Sequence, residues 1–116
     1  MMIRVKAFNV GFAKTIEVTL VNDISEPLTI HCKDKNHDDG VHTLKPDESH
    51  CFVLLTTVVP KTLWYCNFNW TGTSHSFDIY VQKRDKCDEK HCFWNIKKDG
   101  PCNIGAPGTG CYPWDK

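Results

Sequence analysis

The chain has 116 residues, 41% of them hydrophobic, with 14 Lys+Arg balanced by 14 Asp+Glu. That length accommodates one domain with a modest core. Zero net charge argues against a general nucleic-acid binder and against a peptide drawn to anionic lipid by bulk charge. No run approaches the ~20 apolar residues of a membrane span.

Residues 1–14 read as an N-terminal extension to a single domain over 15–116. The opening MMIRVKAFNVGFAKT has no continuous apolar core and no small-residue cleavage site, so it does not read as a signal peptide. A mature form of a secreted protein is the expectation, because the seven cysteines suit an oxidising compartment.

Period-2 alternation dominates from Thr15 onward. In TIEVTLVN (15–22), Ile16, Val18 and Leu20 share a face. LTIHC (28–32) places Leu28, Ile30 and Cys32 together. The segment 33–40, KDKNHDDG, reads as a charged loop, and KPDES (45–49) as a turn. SHCFVLL (49–55) is apolar on both faces, which leaves Cys51 unplaced. TLWYCNFNW (62–70) groups Trp64, Cys66, Phe68 and Trp70. TGTS (71–74) is a hairpin signal. HSFDIYV groups Phe77, Ile79 and Val81, and CFWNI groups Cys92, Trp94 and Ile96. The densest charge cluster, KRDKCDEKH, occupies 83–91. The Gly- and Pro-rich tail, 100–113, is expected to be irregular and pinned by Cys102 and Cys111. Several short strands at this spacing predict an all-β, disulfide-stapled antiparallel β-sandwich. Trp64, Phe68, Phe77, Ile79, Trp94 and Ile96 are its predicted core.

The cysteines carry the compartment argument. No CxxC pair occurs, and the closest two, Cys87 and Cys92, have four residues between them. Cys32, Cys66 and Cys92 fall on the apolar phase of their strands, where bridges would be buried. A zinc site from Cys87, His91 and Cys92, with His31, Cys32 or His37, lacks the short regular ligand pairs of structural zinc, so no metal is expected. His50 and Cys51 are adjacent on a strand and point to opposite faces, which argues against a nucleophile–base pair. Six histidines could in principle run ribonuclease chemistry, but none lies in a motif for it. No catalytic residue, cofactor or enzymatic activity is expected. Asn69-Trp70-Thr71 is an acceptor sequence for N-glycosylation, with Asn69 facing outward at a strand end.

As a set, LTIHCKDK (28–35), DDGVHTL (38–44), TLWYCNFNW (62–70), FDIYVQKRDKC (77–87), WNIKKDGPC (94–102) and CYPW (111–114) resemble the plant self-incompatibility S-protein family. The resemblance runs in order from about Thr15 to Trp114. It implies small secreted, disulfide-bonded β proteins without known enzymatic activity. Founding members act as pistil ligands for a pollen plasma-membrane receptor, with variable hydrophilic loops implicated in recognition. Cys32, Cys66, Cys87, Cys92, Cys102 and Cys111 match the family's cysteine positions. Cys51 stands where another residue is expected, so it is predicted to be unpaired and at least partly buried.

The reading that follows is a secreted, monomeric, non-enzymatic ligand for a plasma-membrane receptor, without nucleic-acid binding or membrane insertion. Its candidate recognition loops carry Lys33, Asp34, Lys35, Asn36, His37, Asp38 and Asp39, and Lys83, Arg84, Asp85 and Lys86, with 71–75 in support. The competing class is a secreted defence effector, a nuclease or membrane-active toxin.

Overall fold

A computed structural model describes residues 15–56, 62–81, 91–104 and 110–115. Among these residues there are nine strands and no helix. They are β1 (Thr15–Asn22), β2 (Leu28–Lys33), β3 (Asp38–Leu44), β4 (Ser49–Leu55), β5 (Leu63–Trp70), β6 (Thr73–Val81), β7 (His91–Lys97), β8 (Gly100–Asn103) and β9 (Gly110–Cys111). One sheet has the order β4-β1-β7-β8-β9, the other β3-β2-β5-β6. The extension 1–14 lies outside the described residues.

The alternating residues predicted to face inward do so except at two strand ends, where Trp70 and Val81 are only partly buried. Tyr80 is buried in place of Val81, because β6 advances three residues to β5's two between the Cys66–Phe77 and Trp64–Tyr80 pairs. Val18, Leu20, Ile30, Phe68, Ile79, Trp94 and Ile96 have at most 1% of their surface exposed, and they join residues of both sheets in one apolar cluster. All six predicted core residues are buried. The antiparallel expectation holds for every pair except β1 with β7, which run parallel from Glu17–His91 to Asn22–Ile96. Such a pairing joins segments some 70 residues apart, and a turn-by-turn reading of the sequence cannot see it.

DDG does not belong to a long loop: Asp38, Asp39 and Gly40 open β3, and the connection shortens to Asp34–His37. The tail is not wholly irregular either. Gly100–Asn103 and Gly110–Cys111 pair as strands, bringing Cys102 opposite Cys111. Gly100 has φ 144°, and a Cβ there would lie 1.9 Å from the Tyr112 carbonyl oxygen, so only glycine lets the tail cross. The tail then plugs one end of the sandwich. Tyr112 packs on Phe77 and Trp94, and Trp114 on Phe68, Trp70 and His75. The Trp114 indole N–H donates to the Lys98 carbonyl at 2.9 Å.

Asn22 is the fully buried polar residue that closes the β1 end. Its Nδ2 donates to the carbonyls of Glu26 (2.9 Å) and Leu44 (3.0 Å), and its Oδ1 accepts from the Ile24 N–H (2.9 Å). Three backbone groups at the strand-to-loop junction thus find partners away from water, where an unmet one would cost roughly 1–3 kcal/mol.

Disulfides join Cys32 to Cys66, directly opposite on β2 and β5, and Cys102 to Cys111. Cys92 is also disulfide-bonded, while Cys87 lies outside the described residues. Cys51 is a free thiol and is exposed, not partly buried as expected. Phe52 and Leu54 take the inner face of β4, so Cys51, Val53 and Leu55 turn outward on an edge strand. The thiol itself sits beside Thr19 and Glu17. The desolvation these neighbours impose, with the carboxylates of Glu17 and Asp39, pushes its pKa up. It is therefore a poor nucleophile at neutral pH, and His50 lies on the other face.

Candidate recognition site

The β2–β3 connection is a built surface feature rather than a loose loop. The Asp34 N–H donates to the His37 carbonyl at 2.9 Å, which closes the turn. Asp34 Oδ1 accepts from the backbone N–H groups of Asn36 (2.8 Å) and His37 (2.6 Å), and the His37 ring lies 3.1 Å from the same oxygen. Asp38 Oδ1 accepts from the Gly40 N–H at 2.8 Å and meets the His31 ring at 2.7 Å. The Cys32–Cys66 bridge lies directly beneath, and Lys33 stands over the Tyr65 ring at 5.9 Å. Lys33, Asp34, Lys35, Asn36, His37, Asp38 and Tyr65 line an open cleft of about 320 Å³. Lys35, Asn36, His37 and Asp38 are exposed at its rim.

The charges in this loop therefore have unequal roles. Partial burial of Asp34 pushes its pKa up, but the Asn36 N–H, the His37 ring and the His37 N–H outweigh it, and the carboxyl is held below its usual range. The Gly40 N–H and then the His31 ring hold Asp38 low as well. Both aspartates hold the turn together, whereas Lys35 is exposed and Lys33 lies over the Tyr65 ring, where each can meet a partner.

A pH dependence follows. A carboxyl held lower in the folded state than its unfolded value of ~3.9 stabilises the loop above that pH. The contribution is lost as pH falls through the lower folded value. The side-chain carboxyl NMR signals of Asp34 and Asp38 are expected to reach their protonation midpoints below the ordinary aspartate value of ~3.9. A transition already complete at pH 5 would contradict this.

The predicted surface is not one patch. Lys33 pairs with Tyr65 at one end of the β3-β2-β5-β6 sheet, whereas Thr29 pairs with Asn69 near the other. The turn at Thr71–Gly72 thus lies about 20 Å from the cleft, six residues along the chain from Tyr65. Segment 71–75 is therefore not brought to the loop, and Thr73, Ser74 and His75 belong to β6. Instead the Thr71 N–H donates to Glu26 at 3.0 Å. Lys83, Arg84, Asp85 and Lys86 lie outside the described residues. Asn69 is exposed at the turn end of β5, so a glycan there would leave the cleft open.

Asp39 stands apart from the cleft and was missed as part of a second group. It faces His42 and His50 where β3 approaches β4. The histidine pair is hidden in sequence because its members lie in strands of different sheets.

The fold and bridges define a disulfide-stapled two-sheet β-sandwich whose polar β2–β3 hairpin is braced by the Cys32–Cys66 bridge. A family profile for plant self-incompatibility protein S1 matches residues 17–114. S-protein homolog 2 of Arabidopsis thaliana is 40% identical over 113 residues, covering 89% of this chain and 69% of its own length. S-protein homolog 5 of the same plant is 41% identical over 106 residues, covering 89% and 80%. The chain belongs to the plant self-incompatibility S-protein family. A solved structure described as a self-incompatibility protein homologue, from a widespread family of small, highly stable, secreted plant proteins, shares the fold with a TM-score of 0.64. It is 18% identical, and the match covers 88% of this chain and 96% of that one.

Proposed function

We propose that this protein is a secreted, non-enzymatic ligand for a plasma-membrane receptor, and that it presents the β2–β3 cleft as its recognition surface. The observation that carries the reading is the braced hairpin. Its turn is fixed by Asp34 and Asp38, its base by the Cys32–Cys66 bridge, and its two lysines are left for a partner. A pre-ordered loop loses little entropy on binding. Its rim residues can vary without disturbing the core beneath. Membership of a family whose solved relative is described as secreted supports the compartment, as does the cysteine usage. The exposed Asn69-Trp70-Thr71 acceptor sequence is consistent with the same route.

The test is capture from solubilised plant plasma membrane, with the oxidised protein as bait. A saturable protein partner is expected, together with no cleavage of RNA or DNA and no leakage from anionic liposomes. Nuclease activity or leakage without a membrane partner would replace this reading with that of a direct defence effector.

A further inference from the structure

At the open edge between the two sheets, two imidazoles converge on one carboxylate. His50 Nε2 lies 2.7 Å from Asp39 Oδ2, and His42 Nε2 lies 3.3 Å from the same oxygen. The two rings stack with centroids 3.8 Å apart. All three side chains are partly buried, with 19–36% of their surface exposed.

The backbone explains how residues three apart on a strand come to share a side. Between the Lys33–Asp38 and His31–Val41 pairs, β2 advances two residues and β3 three. The extra residue is a bulge, with Gly40 at φ 86°. It shifts the phase of β3, so Asp39 and His42 meet instead of facing apart. Neither spacing nor alternation would reveal this. His50 arrives from β4, in the other sheet.

The three donors form a nearly complete metal-ligand set. In a tetrahedral site with bonds of 2.0–2.1 Å, neighbouring ligand atoms stand about 3.3 Å apart. The donor atoms here already lie within 4.8 Å of one another, and an ion would be admitted by a small spreading of the His50–Asp39 contact together with release of His42 Nε2 from the Asp39 backbone carbonyl, 2.9 Å away. We propose that Asp39, His42 and His50 bind a divalent transition-metal ion of the Zn²⁺ class. Water from the exposed side takes the fourth position. Two imidazoles and one carboxylate suit Zn²⁺ and Cu²⁺, whereas Mg²⁺ and Ca²⁺ require mostly oxygen ligands. The ion would clip β3 to β4 and so tie the two sheets together at this edge.

Among the described residues a second donor group, Glu17, Cys51 and His91, lies on the outer face of the other sheet. It is the weaker candidate, since Glu17 and Cys51 are exposed and the group holds one imidazole. The two groups share no residue, so they can be tested separately.

The experiment is calorimetric titration of the metal-free, full-length protein with Zn²⁺ at neutral pH, beside Mg²⁺. One saturable Zn²⁺ site per chain and no Mg²⁺ binding are expected. His42→Ala and His50→Ala should each weaken Zn²⁺ binding at least about tenfold, as losing a metal's support usually does. The double variant Cys51→Ser, His91→Ala should bind as the wild type does. Imidazole NMR signals of His42 and His50 in the unmodified protein should shift at one equivalent of Zn²⁺ while those of His75 stay in place, a readout independent of how the variants fold. Absence of a saturable site would overturn the proposal. So would a site that survives both histidine variants, or one that is lost in the Cys51/His91 variant.

Discussion

Trp94→Ala is expected to lower unfolding stability by about 3–5 kcal/mol, the range for an aromatic side chain removed from a packed core. Trp94 is fully buried on β7, a central strand flanked by β1 and β8. Its ring packs edge-on against Phe77 at 5.4 Å and against Tyr112 at 5.8 Å. Truncation therefore opens a cavity where the second sheet and the tail both meet the first. Val53→Ala supplies the contrast: Val53 is 57% exposed on the outer face of β4, so its change should stay within about 0.5 kcal/mol. Denaturant titration of both variants measures the difference. A loss below about 1 kcal/mol for Trp94→Ala would mean that β7 does not turn Trp94 toward the opposite sheet.

Removing the Cys32–Cys66 bridge, as Cys32→Ala with Cys66→Ala, is expected to cost about 3–4 kcal/mol. The bridge closes a loop with a sequence separation of 34, and the chain-entropy relation gives that magnitude for such a loop. Cys102 and Cys111 are separated by only 9, so their removal should cost less, roughly 2–3 kcal/mol. Thermal unfolding of the two double variants tests the ranking. The reverse order would show that the tail plug, not the strand pair under the recognition loop, depends more on its staple.

These expectations rest on features that differ in how plainly the sequence displays them. The inward phase of β1, β2, β5, β7 and the start of β6 was legible because alternate residues there are apolar, whereas the irregularity that buries Tyr80 in place of Val81 was not. β3 was not, because DDGVHTL is an edge strand with only Leu44 buried, and its bulge disrupts the remaining alternation. The segments that carry the family resemblance have structural reasons that composition cannot express. In DGPC, Gly100 makes room for the Tyr112 carbonyl. In CYPW, the aromatic residues close the sandwich end. In HCK, Cys32 stands opposite Cys66. The loop 33–40 was recognisable as charged, but the division of labour within it was not. Only hydrogen-bond geometry separates the structural Asp34 and Asp38 from the available Lys33 and Lys35. The Asp39–His42–His50 group was least visible, since it needs a bulge and a contact between sheets.

That division of labour sharpens the test of recognition. Neutralising all of Lys33, Asp34 and Lys35 would disturb the turn along with the charge, so the informative variant is Lys33→Gln with Lys35→Gln, leaving both aspartates in place. Lys35 is exposed and Lys33 partly so, and surface changes of this kind usually alter stability by no more than about 0.5 kcal/mol. The decisive measurement is the affinity of this variant and of the wild type for the captured membrane partner at two ionic strengths. We expect weaker binding by the variant, a smaller salt dependence than the wild type shows, and a nearly unchanged melting temperature. Equal affinity for the two proteins at both ionic strengths would contradict the account and move recognition to the exposed strand faces, where Val53, Leu55 and Phe93 lie.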